Sequence, residues 1–195
     1  MVRDTRNAPD WPSMTLNHVD SIDGVIINKI KSVADARGTF YKFDPALGFK
    51  DSLNAVALSI NPKVGTLRGL HFQIEPFGEE KLVSCVKGSI FDVILDLRPD
   101  SRTLGKWTTF ELSSENRLQA YLPKGIAHGF QTLMPDSIIH YSLGSTYSPE
   151  SSYSINPFGD LGIEWPIVEI SISDRDARGI TLAIALQKYS ESLTN

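Results

Sequence analysis

Apolar and polar residues alternate along much of this chain, in short runs that turn residues interrupt about every ten positions. The clearest run is Ser89–Leu97, where the odd positions from Phe91 onward are apolar and the even positions alternate between isoleucine and aspartate. Side chains of a strand point alternately to its two faces, so this run predicts a strand with one apolar face. Asp92 and Asp96 share the other face, which either meets solvent or lines a pocket.

The same pattern predicts further strands along the chain. They cover Val25–Ile30, Ala55–Ile60, Lys81–Val86, Trp107–Leu112, Gln119–Pro123, Phe130–Leu133 and Ile138–Ser142. The pair Lys87–Gly88 separates two of the runs and predicts that they form a hairpin. Many short strands with turns between them indicate a β-sandwich or a β-barrel.

Helical periodicity is scarce. It predicts a short helix in Pro45–Leu53 and a C-terminal helix or tail over about 180–195, with its apolar positions inside Thr181–Leu193. Residues 1–14 are largely polar and predict a loose N-terminal tail. Because no repeat, linker or low-complexity segment interrupts the chain, we expect one domain over residues 1–195.

The composition suits one globular domain, with 195 residues of which 41% are hydrophobic and 22% charged. A net charge of −4 argues against general binding of nucleic acid, which needs a basic face. The single cysteine, Cys85, excludes an internal disulfide, and its apolar neighbours predict core packing. No apolar run reaches the ~20 residues of a membrane helix, and the N-terminus lacks the apolar segment of a signal peptide, so we expect a cytoplasmic protein.

One block near the middle of the chain carries the densest chemistry. In Gly65–Gln73 and the following Glu80–Val83, a guanidinium (Arg68), an imidazole (His71) and an ammonium (Lys81) occur within fourteen residues. Cations of this kind hold phosphorylated substrates, and an imidazole moves protons near neutral pH. The block therefore predicts a site that binds a phosphorylated substrate and transfers a proton on it.

A second set of candidates lies downstream at His128, Tyr141 and Asp176. Glycines flank His128 in the chain and allow the backbone to approach a ligand closely. Taken singly, a histidine or a tyrosine of this kind more often has a structural role, as a histidine satisfied in a core or a tyrosine packed on a barrel wall. Together with the first block, they indicate proton transfer on an all-β scaffold.

Metal-binding chemistry has little support in the sequence. Barrels of the cupin type often bind a metal through a His-x-His pair, a carboxylate and a later histidine. Here Gln73 stands two residues after His71, and neither His18 nor His140 has a partner at ligand spacing, so we expect no metal. The chain also has neither a serine nucleophile elbow nor a glycine-rich phosphate loop, which leaves acid–base chemistry without a cofactor.

An ordered set of motifs between about residues 25 and 176 resembles the dTDP-4-dehydrorhamnose 3,5-epimerase family. The motifs are Arg37–Phe40, Gly65–Gln73, Glu80–Val83, Phe91–Val93, Asp96–Arg98, Leu112–Ser113, Pro123–Phe130, Tyr147–Glu150 and Gly162–Pro166. The resemblance implies a metal-free, homodimeric, cupin-like jelly-roll barrel with a few short helices. It also implies epimerisation at C3, C5 or both of a nucleotide-linked 4-keto-6-deoxy sugar, with dTDP-4-dehydro-6-deoxyglucose as the expected substrate.

Site residues follow from the positions that match the family's motifs. The resemblance makes His71 the catalytic base, Asp176 the carboxylate that pairs with it, Tyr141 the acid and Lys81 the cation near the sugar ketone. The substrate-binding residues that it implies are Arg68, His128, Arg37, Phe40 and Gln73. Of these, Arg37 is expected to reach the site of the partner subunit, because N-terminal strands are exchanged in the dimer.

Departures from the family pattern concentrate in the part that recognises the nucleotide. They are Lys42 in place of a glutamate, Val56–Leu58 in place of a polar stretch, Thr146 in place of an aromatic residue, Ser152 in place of a glutamate, and Asn156–Gly159 in place of Trp-Asn-Asp-Pro. The catalytic set is intact while the recognition set is altered. The identity of the base, of the sugar, and of the inverted carbon or carbons therefore stays open at the level of sequence.

Two other functions compete with an epimerase. The chain would be a non-catalytic nucleotide-sugar-binding cupin if the pocket had lost its chemistry, but such a module needs no base paired with a carboxylate. It would be a 3,4-ketoisomerase of a related sugar if the ketone itself migrated. Incorporation of solvent deuterium into the substrate separates the three functions.

Overall fold

The computed structural model describes residues 22–43, 49 and 53–194. Its elements are β1 (Ile26–Lys29), β2 (Lys31–Asp35), β3 (Gly38–Lys42), β4 (Ala55–Asn61), β5 (Leu67–Gln73), β6 (Lys81–Lys87), β7 (Ser89–Asp96), β8 (Trp107–Ser113), β9 (Leu118–Leu122), β10 (Ile126–Thr132), β11 (Ser137–Leu143), β12 (Ser152–Ser154), α1 (Asp174–Ala177) and α2 (Leu182–Ser192). The predicted tail 1–14 lies outside the described residues, as does the predicted helix 45–53 apart from positions 49 and 53. The single domain over 1–195 stays a prediction.

Two antiparallel sheets of five strands each form the barrel. The first sheet has the order β1-β9-β6-β11-β4 and the second has the order β12-β5-β10-β7-β8. Their inner faces share one apolar core, to which the first sheet contributes Val83 and Ile139 and the second contributes Ile90, Ile94 and Phe130. The predicted all-β, cupin-like jelly roll with few helices is confirmed.

The strand β7 is buried on both faces. Its odd-numbered residues from Phe91 to Leu95 lie on the outer face of the second sheet, in a cluster with Ala185 and Tyr189 of α2. The Phe91 ring also meets Trp165 there, with ring centroids 5.8 Å apart and planes at 73°. The C-terminal part of the chain thus covers the outside of this sheet, which explains why alternate positions of β7 are all apolar.

Neither aspartate of β7 faces solvent. Asp92 and Asp96 are both fully buried, so the alternative of a solvated face is wrong. Asp96 accepts hydrogen bonds from Arg98, Ser101 and Thr103 in the loop that follows β7. Burial alone would raise the pKa of Asp96, but these hydrogen bonds outweigh burial and lower it.

The predicted hairpin between β6 and β7 is wrong. Gly88, with a φ of +78°, does reverse the chain between them, but β6 pairs with β9 and β11 whereas β7 pairs with β8 and β10. The two strands belong to opposite sheets, and Cys85 of β6 and Ile90 of β7 pack into the same core from opposite walls. A tight turn at glycine serves a hairpin and a sheet-to-sheet corner equally, and core packing selects the corner here.

The remaining predicted strands are confirmed with small differences in their bounds, whereas β2, β3, β5, β12 and α1 were not predicted. The strand predicted at Phe130–Leu133 is the end of a longer strand that begins at Ile126. The C-terminal helix is confirmed as α2, whose N-cap Thr181 accepts a hydrogen bond from the Ile184 amide at 3.3 Å. Within the described residues, no helix is both long enough and apolar enough to span a membrane.

Candidate active site

A cavity of about 400 Å³ opens between β4, at the edge of the first sheet, and β5 and β10 of the second. We call it the barrel cavity. It is lined by Ala57, Leu58, Ser59, Ile60, Arg68, His71, His128, Gly129, Phe130 and Tyr141. Of the four predicted site residues on β5 and β10, Arg68, His71 and His128 line one wall of the cavity, and Gln73 does not. Tyr141 of β11 lies on the wall that faces them.

A bulge in β5 brings Arg68 and His71 to the same cavity. Strict alternation places residues three apart on opposite faces of a strand. In the pairing with β10, however, His71 lies opposite His128 and Arg68 lies opposite Phe130. Three steps along β5 match two along β10, so β5 carries one extra residue, which turns both side chains toward the cavity.

Two glycines make room for this bulge. Gly69 has a φ of +106°, a conformation that residues with a side chain rarely adopt. A Cβ added at Gly69 would lie 2.6 Å from the Cα of Gly129, and one added at Gly129 would lie 2.8 Å from the carbonyl oxygen of Arg68. The two strands therefore approach each other more closely than any other residue type would allow.

The predicted pairing of His71 with Asp176 is present in the structure. Nε2 of His71 lies 2.6 Å from Oδ1 of Asp176, a residue of α1 that is 4% exposed. Asp176 also accepts hydrogen bonds from Ser154 Oγ at 2.9 Å and from the Gly69 amide at 3.3 Å. Burial alone would raise the pKa of Asp176, but the hydrogen bonds from His71, Ser154 and Gly69 outweigh it and lower the pKa to about 2.

This pairing leaves one nitrogen of His71 available as a base. An ionised carboxylate only accepts hydrogen bonds, so the proton shared with Asp176 belongs to Nε2. No described residue forms a hydrogen bond with Nδ1, and the side chain is 39% exposed. Asp176 thus fixes the tautomer of His71 and favours the imidazolium that forms when Nδ1 takes a proton.

His128 has a carboxylate partner of its own, which the sequence motifs did not identify. Its Nε2 lies 2.9 Å from Oδ2 of Asp92, and both side chains are buried. Burial raises the pKa of Asp92, while the neighbouring His128 acts in the opposite direction. The even–odd pattern placed Asp92 on the correct face of its strand, but it held no sign that His128 would come within reach.

Tyr141 is placed as a proton donor. Its ring lies edge-on to that of His128, with centroids 6.1 Å apart and planes at 73°. Burial raises the pKa of Tyr141 above its usual range, the charge of Asp92 adds to the rise, and the charge of Arg68 opposes it. The phenol therefore keeps its proton at neutral pH, and no described residue engages it in a hydrogen bond.

Two cations lie at or behind the same wall. Arg68 lines the barrel cavity and donates from Nε to Oδ1 of Asn61 at 2.9 Å. Lys81 is 8% exposed and does not line the cavity in the structure; its Nζ lies 3.3 Å from Glu79 Oε2 and 3.5 Å from the backbone oxygen of His71. The ammonium is thus directly behind the predicted base.

Gln73 belongs to the framework beside the cavity. Its buried amide donates to the carbonyl oxygens of Phe77, at 3.0 Å, and Thr146, at 3.3 Å. It also accepts from the amide of Ser148 at 2.8 Å. These contacts fasten β5 to two loops, and the predicted role of Gln73 in substrate binding stays a prediction.

Arg37 and Phe40 lie away from the barrel cavity of their own chain. Both are in the hairpin formed by β2 and β3, which pairs with no other described strand. Arg37 forms an exposed ion pair with Asp35 at 2.6 Å, and Phe40 is 70% exposed. Their predicted contact with the site of a partner subunit stays a prediction.

No group of three or more histidine, cysteine, aspartate and glutamate side chains suited to a metal ion is present in the described part of the chain. His140 lies in β11 next to Tyr141, but it stacks on Phe43 with ring centroids 4.6 Å apart instead of entering the barrel cavity. His18 lies outside the described residues.

Comparison with known proteins gives a consistent result. Residues 20–183 match the family model described as dTDP-4-dehydrorhamnose 3,5-epimerase. The chain is 39% identical over 165 residues to the dTDP-4-dehydrorhamnose 3,5-epimerase of Sinorhizobium fredii. The aligned region covers 80% of this chain and 84% of that protein.

Solved structures of related epimerases superpose on the barrel. One is the dTDP-6-deoxy-D-glucose-3,5-epimerase RmlC of Legionella pneumophila in complex with dTDP-4-keto-L-rhamnose, with a TM-score of 0.78, 37% identity, and coverage of 84% of this chain and 90% of that one. Another is ChmJ, a 3'-monoepimerase of Streptomyces bikiniensis in complex with dTDP-quinovose, with a TM-score of 0.75, 32% identity and 89% coverage of both chains.

Proposed function

The chain belongs to the dTDP-4-dehydrorhamnose 3,5-epimerase family and is an epimerase of the isomerase class; on that premise we propose that it inverts C3, C5 or both in a nucleotide-linked 4-keto-6-deoxy sugar. The observation that carries the proposal is the placement of a carboxylate-paired histidine and a tyrosine on facing walls of one cavity. The expected substrate is dTDP-4-dehydro-6-deoxyglucose.

Proton abstraction falls to His71. The hydrogens on C3 and C5 are acidic because the C4 ketone lies between the two carbons and can take up the negative charge as an enolate. Nδ1 of His71 accepts the proton, and Asp176 stabilises the resulting imidazolium through Nε2. The electron pair of the broken C–H bond becomes the C=C bond of the enolate, and the ketone oxygen takes the charge.

Stabilisation of that oxygen falls to Arg68, which lines the barrel cavity, and at longer range to the charge of Lys81 behind the cavity wall. A fixed positive charge is most effective where water is excluded, because the local dielectric is low. Arg68 is oriented by Asn61, and Lys81 by Glu79 and the backbone of His71. The two cations thus favour the enolate over the ketone.

Inversion follows from the positions of the base and the acid. His71 projects from the second sheet and Tyr141 from the first, and both line the cavity between the sheets. A sugar ring bound between them presents one face to each. Removal of a proton by His71 and delivery of another by Tyr141 therefore reverses the configuration at the carbon.

Recognition of the nucleotide differs from the family pattern at the rim of the site. Where the family has a glutamate, Ser152 accepts a hydrogen bond from Arg175 at 2.9 Å, and the same guanidinium donates to the Tyr147 hydroxyl at 3.3 Å. The exposed side chains of Val56 and Leu58 stand where the family has polar ones. We therefore expect the base to be recognised through contacts other than those of the family.

Solvent-deuterium incorporation into dTDP-4-dehydro-6-deoxyglucose, followed by NMR in the presence of a chelator, tests the proposed function. Exchange at C3 and C5 is expected for a 3,5-epimerase, and exchange at C3 alone would assign single epimerisation. Absence of exchange despite binding would overturn the proposal in favour of a binding protein, and migration of the ketone would overturn it in favour of a ketoisomerase. The corresponding uridine and guanosine sugars, run in parallel, identify the base.

We also propose that the chain is a homodimer with exchanged N-terminal strands. Every residue of β2 and β3 is exposed, and Val33 and Phe40 are each 70% exposed. On the edge strand β4, Leu58 and Ile60 are 60% and 63% exposed. A hairpin and a sheet edge with this much exposed apolar area are typical of an interface.

The cytoplasmic location expected from the sequence stays a prediction.

The dimer is expected to depend on the hairpin. A Phe40→Asp substitution places a charge on its exposed apolar side, so it should shift the mass measured by light scattering from two chains toward one at micromolar concentration. Val168→Asp is the matched control, because Val168 is 93% exposed and lies outside this hairpin. A wild-type monomer with full activity would contradict the proposed dimer.

A further inference from the structure

Asp92 is the least satisfied carboxylate described in the barrel. It is fully buried, its Oδ2 lies 2.9 Å from Nε2 of His128, and its Oδ1 has no hydrogen-bond partner. Burial of a carboxylate with an unpaired oxygen destabilises a fold, because the oxygen loses its hydrogen bonds to water and gains none in return. The residues on either side of it along the same face, Ile90 and Ile94, are apolar core residues.

Asp96 shows what a structural aspartate looks like on the same strand. It is also fully buried and lies four residues further along the same face of β7. Its oxygens, however, accept hydrogen bonds from the side chains of Arg98, Ser101 and Thr103 and from the Arg98 amide. That carboxylate fastens a loop and is satisfied. Asp92 fastens no loop, and its single described partner is a residue that lines the barrel cavity.

His128 stands opposite the predicted base. In the pairing of β10 with β5, His128 is the register partner of His71, so the two rings project side by side into the cavity. Each ring has a carboxylate on Nε2: Asp176 for His71 and Asp92 for His128. No described residue forms a hydrogen bond with Nδ1 of His128, which leaves this nitrogen for a ligand.

We propose that Asp92 is a positioning residue of the epimerisation: it holds a proton on Nε2 of His128 and thereby presents Nδ1 of that ring to the sugar, beside His71. This inference rests on the proposed function. With Nε2 protonated, the neutral ring offers a lone pair at Nδ1 and accepts a hydrogen bond from a sugar hydroxyl. The ring also packs against Tyr141, so holding it still keeps the acid in place.

Substitution of Asp92 by asparagine changes the hydrogen-bonding chemistry with little change in shape. The amide of asparagine can donate to Nε2, which moves the ring proton to Nδ1 and converts an acceptor facing the sugar into a donor. We therefore expect kcat for deuterium exchange to fall at least about tenfold, a modest share of an acid–base contribution.

The decisive measurement is a double-mutant cycle on exchange rates with Asp92→Asn, His128→Asn and the double variant. If Asp92 acts through His128, the double variant is no slower than His128→Asn alone. Asp96→Asn is the matched control: it should lower the melting temperature, leave the exchange rate unchanged, and add independently to His128→Asn. Independent, additive rate losses for Asp92→Asn and His128→Asn would overturn the inference.

A second readout does not require the variants to fold equally well. Nitrogen-15 NMR of the wild-type imidazoles, with the His128 signal assigned by its loss in His128→Asn, reports which nitrogen carries the proton. We expect a protonated Nε2 and an unprotonated Nδ1, and the reverse would overturn the inference. Absence of exchange in the wild type would overturn the proposed function itself, whereas wild-type exchange that Asp92→Asn leaves unchanged would overturn only the role of Asp92.

Discussion

Replacement of His71 by asparagine is expected to abolish deuterium exchange at the sugar carbons, with a loss of at least about 10²-fold. The reason is that Nδ1 of His71 is the base whose tautomer Asp176 fixes, and asparagine cannot take up a proton at neutral pH. The measurement is the NMR exchange rate on the substrate that supports wild-type turnover. Binding of the nucleotide sugar should stay within about an order of magnitude of wild type, because general-base catalysis contributes to the rate and not to ground-state binding.

His140→Asn is the matched control for this substitution. The residue is also a histidine of a barrel strand, but its ring stacks on Phe43 and lies outside the barrel cavity. Burial lowers the pKa of His140, so the ring is neutral at neutral pH and its loss removes no charge from the site. Equal exchange in wild type and His71→Asn would show that another group is the base.

The sequence predicted the individual strands of the barrel better than the pairing between them. Alternation reports which residues share a face of a strand, and it placed β7 correctly because that strand is regular from end to end. It does not report which strand is the neighbour, since pairing depends on packing between distant parts of the chain. Hence the turn at Gly88 predicted a hairpin, although the core places β6 and β7 in opposite sheets.

The bulge in β5 shows a second limit. Alternation assigns Arg68 and His71 to opposite faces, yet an extra residue at this point turns both into the cavity. Its one sequence sign is Gly69, and a glycine within a strand is equally compatible with a tight bend or with the close approach of another backbone. The family resemblance identified both as site residues without any knowledge of the bulge. A sequence motif records which residues occur at a site, whether or not the strand that carries them is regular.

Of the two histidine–aspartate pairs that are distant in sequence, only one could be predicted from the sequence. The resemblance identified Asp176 as the partner of His71 across 105 positions, and the structure places them 2.6 Å apart. The partner of His128 is Asp92, 36 positions away, and the sequence left it undecided between solvent and pocket. A buried carboxylate on a strand face signals that a partner exists, but only the fold of the barrel determines which residue that partner is.

Tyr141→Phe is expected to separate the two halves of the reaction. Removal of the proton needs His71 and Asp176, whereas the phenol is needed for delivery of a proton to the opposite face of the sugar. The variant should therefore still exchange hydrogen from one side of the ring while its yield of inverted product falls at least about tenfold. Deuterium exchange and product configuration, both read by NMR in the same sample, measure the two halves together.

Phenylalanine keeps the edge-on packing of Tyr141 on His128, so this substitution tests the hydroxyl and not the shape of the wall. Tyr121→Phe is the matched control, a tyrosine of strand β9 in the same sheet that does not line the barrel cavity. If Tyr141 merely packs the barrel wall, the two variants should behave alike and epimerise at the wild-type rate.

Because the pKa of Tyr141 is raised by burial and by the charge of Asp92, the donor is protonated throughout the neutral range. The loss of inverted product in Tyr141→Phe should consequently be the same at pH 6 and pH 8, both about two or more pH units below the ordinary phenol pKa of about 10, and a defect that disappeared at one of these pH values would assign the acid to a different group.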